Sequence, residues 1–149
     1  MIEVGLRAVE VEDIEVLYRH ESDPEALRRA NFPRRSHAAF VEHWNRRVLG
    51  DPSVRARAIT ADGELAGSIV AWWQDGRRMV GFWLDRELWA RGIGTRALTL
   101  FLEQETTRPL YGEADVRNAA SIRLLKRCGF EEFEVIREGA DEFLVLALG

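Results

Sequence analysis

The feature that most limits the fold of this chain is a run of six residues, 79–84, with the sequence MVGFWL. Every residue in it that carries a side chain is apolar, so a strand built from it has no polar face to present to water. Runs of this kind are typical of strands that are covered on both sides of a sheet. The run therefore predicts a central strand with helices on both faces of its sheet.

Two turn signals place further strands next to this run. The turns are Ala61-Asp62-Gly63 and Asp75-Gly76. They separate three apolar stretches, 54–60, 65–73 and 79–84. Because Asp-Gly between such stretches is a strong hairpin signal, the three segments predict an antiparallel meander.

The rest of the chain alternates between helical and strand patterns. Apolar residues at three- and four-residue spacing, often after a capping residue, predict the helices. Predicted strands cover 4–9, 110–116, 130–136 and 142–148; predicted helices start near 11 and cover 36–50, 92–106 and 118–127, with a polar loop and one helical turn over 21–35. The order β-αα-βββ-α-β-α-ββ predicts a mixed α/β fold in one domain, 1–149, with a twisted, mostly antiparallel mixed sheet of about seven strands flanked by about four helices.

Composition argues against several classes of function. The formal net charge is −4, from 21 basic and 25 acidic residues, and so favours no nucleic-acid partner. No uncharged apolar stretch approaches the roughly 20 residues of a membrane span. The single cysteine, Cys128, suits a cytoplasmic location, and the histidines lack the spacing of a metal site. We expect no nucleic-acid, membrane or metal partner.

The sequence WARGIGTRAL, residues 89–98, places two glycines at the predicted start of a helix. Glycine inside a helix costs roughly 0.5–1 kcal/mol relative to alanine, so two of them suggest that something approaches the main chain closely. None of Ser, Thr, Asp or Asn stands just before this start, whose unpaired N–H groups and adjacent Arg91 would suit a phosphate. The alternative is that Gly92 and Gly94 only let the helix pack tightly, and these residues alone leave both open.

Gly92, Gly94 and Ala97 also satisfy the dinucleotide-binding pattern G-x-G-x-x-A, with Glu113 near the expected position of an acidic ribose partner. That pattern follows its strand directly, whereas here residues 85–91 intervene. Antiparallel hairpins, rather than alternating strands and helices, flank the motif. We therefore disfavour nicotinamide binding.

Two longer motifs, VGFWLDRELWARGIGTRALTLFL and NAASIRLLKRCGF, resemble the GNAT family of acyl-CoA-dependent N-acyltransferases. The first is similar to the family signature Gln/Arg-x-x-Gly-x-Gly/Ala, with Trp89 in place of the leading polar residue. The second is similar to the family's Asn-x-x-Ala/Ser…Gly-Phe helix, through Asn118, Ser121 and Gly129-Phe130. The pattern NxxSxxLLKRxGF within the second motif and the strand end GFWLD within the first resemble most the branch of RimJ/RimL-type N-terminal acetyltransferases. The element order agrees along nearly the whole chain, so the resemblance implies a GNAT-like fold.

The resemblance implies acetyl-CoA as co-substrate and no metal. The strand edge at Trp83 and Leu84 would pair with the pantetheine arm, and Asn118 would lie beside that arm, act only as a helix cap, or do both. The diphosphate would be bound with the help of Arg91 and by backbone N–H groups of Gly92, Ile93, Gly94, Thr95 and Arg96.

The resemblance further implies direct attack by a primary amine in a ternary complex. The amine must be neutral, and because a free amine titrates at about 8–10, a base must take its proton. Glu113 occupies the position of a general base in related N-terminal acetyltransferases, with Asp115 as the second choice. A tyrosine that often protonates the leaving thiolate is replaced by Leu125, so Ser121 is the hydroxyl that could act there. The plainer alternative is a solvated Glu113 and a Ser121 that only fills space.

The acceptor would be a peptide N-terminus or a small-molecule amine, held between residues 21–35 and the C-terminal hairpin. The sequence does not decide between these acceptors, or between acetyl and longer acyl groups. Strand-edge and C-terminal-hairpin dimers are common in similar proteins, so a homodimer is a possible state. The alternative to an enzyme is a regulatory module that binds acyl-CoA without turnover, because Trp89 and Leu125 depart from the family pattern.

Overall fold

The computed structural model describes residues 1–149 and contains seven strands and five α-helices. The strands are β1 (Val4–Arg7), β2 (Arg55–Ala61), β3 (Glu64–Gln74), β4 (Arg77–Leu84), β5 (Leu110–Asp115), β6 (Glu131–Glu138) and β7 (Asp141–Leu148). The helices are α1 (Asp13–Glu21), α2 (Pro24–Ala30), α3 (His37–His43), α4 (Ile93–Gln104) and α5 (Ala119–Arg127).

All seven strands belong to one sheet with the order β1-β2-β3-β4-β5-β7-β6. Only β4 and β5 run parallel, and every other neighbouring pair is antiparallel. The predicted mixed, mostly antiparallel sheet is therefore confirmed. The predicted central position of residues 79–84 is confirmed as well, because β4 is the fourth of the seven strands.

Helices cover both faces of the sheet, as the apolar run in β4 requires. On one face, α1 and α3 contribute Ile14 and Phe40 to a buried cluster. On the other face, α4 and α5 contribute Phe101 and Leu125 to the larger cluster. Burying side chains of this size contributes about 1.5–3 kcal/mol each. Because α4 follows β4 and α5 follows the parallel β5, both helices begin at the same edge of the sheet.

The parallel pair β4–β5 is held together only at its beginning. Three residue pairs join the strands, and the last of them is Val80 with Gly112. Beyond this point residues 81–84 pair with β3 alone, and residues 113–115 pair with β7 alone. The two central strands therefore separate, and the gap between them opens towards the starts of α4 and α5.

The N-terminal region contains one helix more than predicted. Residues 21–35 include the seven-residue helix α2, where the sequence predicts a loop with one helical turn. Asp23 caps α2 by accepting a hydrogen bond from the Ala26 N–H at 3.0 Å, and Asn31 ends it in the left-handed conformation with φ 50°. Since Ala26 is its only buried residue, α2 lacks the apolar periodicity on which the prediction relies. The sheet is thus flanked by five helices rather than about four.

Helix α3 begins where the sequence predicts. The Ser36 hydroxyl oxygen accepts a hydrogen bond from the Ala39 N–H at 3.2 Å, which confirms the predicted cap. After His43 the chain continues as a π-helical turn, Trp44–Val48, and ends before Gly50. This turn buries the Trp44 ring in the cluster beneath α1 and α3.

Candidate active site

The start of α4 lacks any side-chain cap. Gly92 precedes the helix in the left-handed conformation, with φ 76°, and no protein atom accepts a hydrogen bond from the backbone N–H groups of residues 90–95. The first N–H with a helical partner is that of Arg96, which donates to the Gly92 carbonyl at 3.2 Å. The prediction that includes the Arg96 amide among the free donors is therefore corrected: the free amides end at Thr95. Such a helix start favours an anion.

The two glycines of this start are required for different reasons. A Cβ at position 94 would lie 2.5 Å from Leu124 Cδ1 and 3.3 Å from Leu84 Cδ1, so Gly94 lets α4 pack closely against α5 and β4. A Cβ at position 92 would meet nothing within 4 Å, and Gly92 is instead required by its positive φ. Tight packing thus explains Gly94, and backbone conformation explains Gly92. Both residues also line a cavity, and Gly92 is exposed whereas Gly94 is buried.

This smaller cavity has a volume of about 470 Å³ and lies between α2, the end of β4 and the starts of α4 and α5. No Asp or Glu lines it, whereas three guanidinium groups do, from Arg29, Arg123 and Arg127. The sequence motifs predict no coenzyme-binding role for these three residues. Arg123 and Arg127 are four residues apart on α5, a spacing that places them on one face of the helix and could have signalled a shared role. The cavity is therefore cationic.

The predicted cationic residue Arg91 is exposed but does not line this cavity. Arg96 does not line it either, because its guanidinium donates to the Ile2 carbonyl at 2.6 Å, two residues before the edge strand β1. The role of Arg91 in phosphate binding stays a prediction, and the Arg96 side chain is already engaged elsewhere.

Trp83 and Leu84 end β4, where the strand has lost contact with β5. Both residues line the smaller cavity, and their main chain is paired only with β3. The Trp83 indole donates to the His20 carbonyl at 2.9 Å, and the Trp89 indole donates to the Leu84 carbonyl at 3.3 Å. The free side of this strand is the edge that the sequence analysis assigns to a pantetheine arm.

Asn118 and Ser121 stand where the smaller cavity meets a second, larger one, and they line both. Asn118 Oδ1 accepts a hydrogen bond from the Ser121 N–H at 3.3 Å, so Asn118 caps α5 as predicted. Its side-chain nitrogen and the Ser121 hydroxyl have no hydrogen-bond partner within the protein. Two polar groups are therefore free at the junction of the cavities.

Glu113 lines the larger cavity, which Asn118 and Ser121 also line. The residue is exposed, but partial removal of its carboxyl from water raises the pKa above the usual range, and the negative charges of Glu138 and Glu134 raise it further. A raised pKa suits a carboxylate that must take a proton and release it near neutral pH. The role of Glu113 as general base stays a prediction.

Asp115, the second candidate base, has a different environment. Hydrogen bonds from the Arg117 guanidinium, at 3.0 and 2.9 Å, hold the pKa of the Asp115 carboxyl well below its usual range. The Asn31 side-chain amide also donates to it at 3.0 Å, and the residue is buried. These donors occupy the oxygens that would have to accept a proton, so Asp115 ties α2 to the end of β5 instead of serving as a base.

Leu125 occupies the position at which the family often has a tyrosine. It is 2% exposed, and it packs over Gly112, where a Cβ would lie 2.9 Å from Leu125 Cδ2. No hydroxyl can act from this position. Ser121 lies one turn before Leu125 on α5 and is partly exposed. Its hydroxyl is the one nearest to Leu125 in sequence, and the residue lines both cavities.

The larger cavity, with a volume of about 1060 Å³, is acidic and aromatic. Six carboxyl groups and three guanidinium groups line it, and Phe and Trp rings form much of its wall. Burial raises the pKa of the Glu21 carboxyl in this wall, and the nearby Arg35 partly offsets that effect. The cavity therefore has the opposite charge to its smaller neighbour.

Two further observations concern the whole chain. None of its helices has the length and apolar character needed to cross a membrane. No cluster of three or more His, Cys, Asp or Glu side chains is arranged to hold a metal ion.

Comparison with known proteins identifies the family. The model of the acetyltransferase (GNAT) domain matches residues 3–131. Aminoglycoside acetyltransferase AAC(6')-Ib in complex with coenzyme A aligns with a TM-score of 0.81 and 18% identity, over 98% of this chain and 94% of that chain. RimL, a ribosomal L7/L12 α-N-protein acetyltransferase in complex with coenzyme A, aligns with a TM-score of 0.81 and 17% identity, over 97% and 93%. A GNAT-family acetyltransferase from Bacillus anthracis aligns with a TM-score of 0.81 and 14% identity, over 97% and 93%.

No curated protein sequence matches the chain. At identities this low, the structural similarity shows the fold alone, whereas the family model covers most of the chain and shows membership. The chain belongs to the acetyltransferase (GNAT) domain family and is an N-acetyltransferase with acetyl-CoA as its co-substrate.

Proposed function

We propose that the protein acetylates a primary amine, of a small molecule or of a peptide N-terminus, and that the amine enters the larger cavity while acetyl-CoA occupies the smaller one. The observation that carries the proposal is the meeting of two cavities of opposite charge at Asn118 and Ser121, with Glu113 in the wall of the larger one. The continuous sheet, with strands from residue 4 to residue 148, supports a single functional domain.

The residues of the smaller cavity suit coenzyme A. Its phosphates require donors and positive charge, which the unpaired N–H groups of residues 90–95 and the three arginines supply. Its pantetheine arm carries amides, for which the unpaired edge of β4 at residues 81–84 offers main-chain partners. In this arrangement the acetyl end lies towards Asn118, whose free side-chain nitrogen can donate to an amide of the arm.

Acetyl-CoA supplies a thioester carbonyl that a neutral amine attacks, so that a C–N bond forms and the C–S bond breaks. The ammonium form of the acceptor first gives one proton to Glu113, directly or through water. Because the raised pKa of Glu113 brings it closer to that of an amine, the transfer is less unfavourable than to an ordinary carboxylate. The remaining proton released by the nitrogen balances the one that the thiolate takes up.

Ser121 is the proposed donor to the departing sulfur. Its hydroxyl has no partner within the protein and stands at the junction of the cavities. A thiol titrates at about 8.5, so its thiolate leaves without complete protonation and needs only weak assistance. The weak assistance that the thiolate needs is consistent with the presence of Leu125 where the family often has a tyrosine. Catalysis then depends largely on holding the two substrates in line.

The charge of the larger cavity favours a cationic acceptor, because carboxyl groups outnumber guanidinium groups in its wall. Two structural neighbours are associated with acceptors of different size. AAC(6')-Ib is known in complex with kanamycin and with ribostamycin, whereas RimL is a ribosomal L7/L12 α-N-protein acetyltransferase. The similarity to RimL supports the peptide alternative, and the acidic wall of the cavity suits a small polyamine equally.

Thiol release from acetyl-CoA tests the proposal, measured with a panel of aminoglycosides, polyamines and N-terminal peptides. We expect at least one cationic amine to be acetylated by the wild type. We expect the Glu113→Gln variant to bind coenzyme A with unchanged affinity in calorimetry but to transfer acetyl slowly. Acetyl-CoA binding without transfer to any member of the panel, or to amines in a cell extract, would contradict the proposal.

A further inference from the structure

We propose that Arg29, on α2, is a phosphate-binding residue for coenzyme A and that Trp89 is the platform that holds it there. The inference rests on the proposed placement of coenzyme A in the smaller cavity. It explains how this chain functions with Trp89 at a position where the family signature has a polar side chain. The phosphate in question is either the diphosphate or the 3′-phosphate of the coenzyme.

The Arg29 guanidinium lies against the Trp89 ring. Its Cζ is 4.8 Å from the ring centroid, within the range of a cation–π interaction. The Trp89 ring is itself fixed, because its indole nitrogen donates to the Leu84 carbonyl at 3.3 Å. Both side chains line the smaller cavity, together with Gly92 and Gly94. Trp89 therefore positions a cation from another helix beside the free amides of α4.

The charge of Arg29 is not neutralised by its neighbours. Glu25 is its only acidic partner, at 3.1 Å from Arg29 Nε. The same carboxylate accepts from both the Nε and an Nη group of Arg28, so two guanidinium groups share one carboxylate. The Arg29 Nη groups have no hydrogen-bond partner within the protein. Arg29 thus presents unused donors and excess positive charge, which a phosphate would satisfy.

Helix α2 is fixed on both sides of Arg29. Before it, Asp23 forms an ion pair with Arg86, in the loop between β4 and α4, at 3.1 Å. After it, the Asn31 amide donates to the buried Asp115 at 3.0 Å. These contacts join α2 to both sides of the gap between β4 and β5. The guanidinium is consequently held over the cavity by a positioned helix, which lowers the entropy lost when it binds an anion.

The matched control is the adjacent Arg28. It belongs to the same helix, shares the same carboxylate, is 70% exposed and does not line the cavity. Arg29→Ala and Arg28→Ala therefore remove the same charge from the same short helix. Only the first removes a group that faces the proposed phosphate site.

The test measures the affinities of coenzyme A, 3′-dephospho-coenzyme A and pantetheine by calorimetry. We expect Arg29→Ala to weaken coenzyme A binding by about ten- to a hundredfold, the loss typical of a hydrogen bond to a charged group. Pantetheine, which has no phosphate, should bind wild type and variant equally. Arg28→Ala should leave all three affinities unchanged. If wild type and Arg29→Ala bind 3′-dephospho-coenzyme A with equal affinity, Arg29 binds the 3′-phosphate. If the variant binds 3′-dephospho-coenzyme A more weakly than wild type, Arg29 binds the diphosphate.

Trp89→Leu examines the platform. It should weaken coenzyme A binding by a similar factor, and Arg29→Ala added to it should cause little further loss, because both substitutions remove one interaction. Unchanged coenzyme A affinity in Arg29→Ala, or an equal loss for pantetheine, would overturn the inference while leaving the proposed function intact. Failure of the wild type to bind coenzyme A at all would instead overturn the proposed function, and the inference with it.

Discussion

The two cavities of this protein differ in how they are built to attract charge. In the smaller one, positive potential comes from unpaired main-chain amides at the start of α4 and from arginines on two separate helices. In the larger one, negative potential comes almost wholly from carboxylate side chains on several different elements. The positive potential of the smaller cavity thus depends partly on backbone conformation, which a substitution of one side chain does not supply. The negative potential of the larger cavity depends on individual side chains, each of which can be replaced by one substitution.

The difference suggests why one part of the site is readable in sequence and the other is not. Main-chain donors at a helix start depend on backbone conformation, and they leave a local pattern of glycines in the sequence. An acceptor cavity needs only suitable charge and shape, which side chains far apart in sequence can supply. The two cavities meet at the gap between β4 and β5. An anionic substrate is therefore favoured on one side of Asn118 and Ser121, and a cationic substrate on the other.

The sharpest test of the comparison removes the charge of Glu113 from the larger cavity. We expect Glu113→Gln to lower kcat by about 10²–10⁴-fold, the usual contribution of general base catalysis. The affinity for coenzyme A should not change, because Glu113 does not line the smaller cavity. Glu103→Gln, at an exposed position on α4, is the control for loss of one carboxylate. A kcat within a factor of three of wild type would show that another group accepts the proton.

The second prediction separates Asp115 from Glu113 by stability. Asp115→Asn removes hydrogen bonds between a carboxylate and Arg117, and we expect it to lower the free energy of unfolding by about 1.5–3 kcal/mol at pH 7. Because the folded-state pKa of Asp115 is depressed, this contribution is complete above the unfolded pKa of about 4 and declines as the pH falls below it. Urea unfolding of wild type and variant at neutral and acidic pH measures both effects.

Asp141→Asn is the matched control for that experiment. Asp141 is 47% exposed and lies 3.8 Å from the same Arg117 guanidinium, so its removal should cost less than about 1 kcal/mol. An Asp115→Asn variant that keeps the stability of wild type but loses acetyl transfer as completely as Glu113→Gln would contradict the structural role of Asp115 and make it a candidate base.

The third prediction concerns Gly94 in the smaller cavity. Gly94→Ala would crowd Leu124 and should lower the free energy of unfolding by about 1–3 kcal/mol, as overpacking does. In a Leu124→Ala background this loss should largely disappear, because the space is then open. Thermal unfolding of the four proteins measures the coupling. Coenzyme A affinity that stays low in the double variant would show that Gly94 is also needed for close approach of the ligand.

The sequence was informative where a local pattern had one structural explanation. The apolar run in β4 and the capping residues Ser36 and Asn118 each depend on near neighbours, and all three predictions are confirmed. Helix α2 was missed because it packs through one alanine and shows no apolar periodicity. The glycine pattern indicated a helix start without a side-chain cap, but the contact of Gly94 with Leu124 joins residues of two helices that are thirty positions apart in sequence, and neither helix alone shows it.

The cationic and acidic walls could not be predicted for the same reason. Arg29 meets Trp89 only because α2 crosses the gap between β4 and β5, and Glu138 meets Glu113 only because the C-terminal hairpin folds back beside β5. Charge patterns along the chain do not carry this information. A local pattern therefore indicated the candidate residues at one helix start, and Trp83, Glu113 and Asn118 were named through the family resemblance, whereas the contacts of Arg29 and Glu138 were not predicted.

The smallest expected effect concerns the pKa of Glu113 in the larger cavity, which neighbouring carboxylates raise. Removing the charge of Glu138 should lower the pKa of Glu113, because Glu138 raises it. The acidic limb of kcat/KM, where activity rises as Glu113 loses its proton, should therefore move to lower pH in Glu138→Gln. Glu134→Gln should move it less, since Arg77 forms an ion pair with Glu134 and already offsets its charge. A pH profile with full activity retained but no displacement in Glu138→Gln would mean that the limb reports a group other than Glu113.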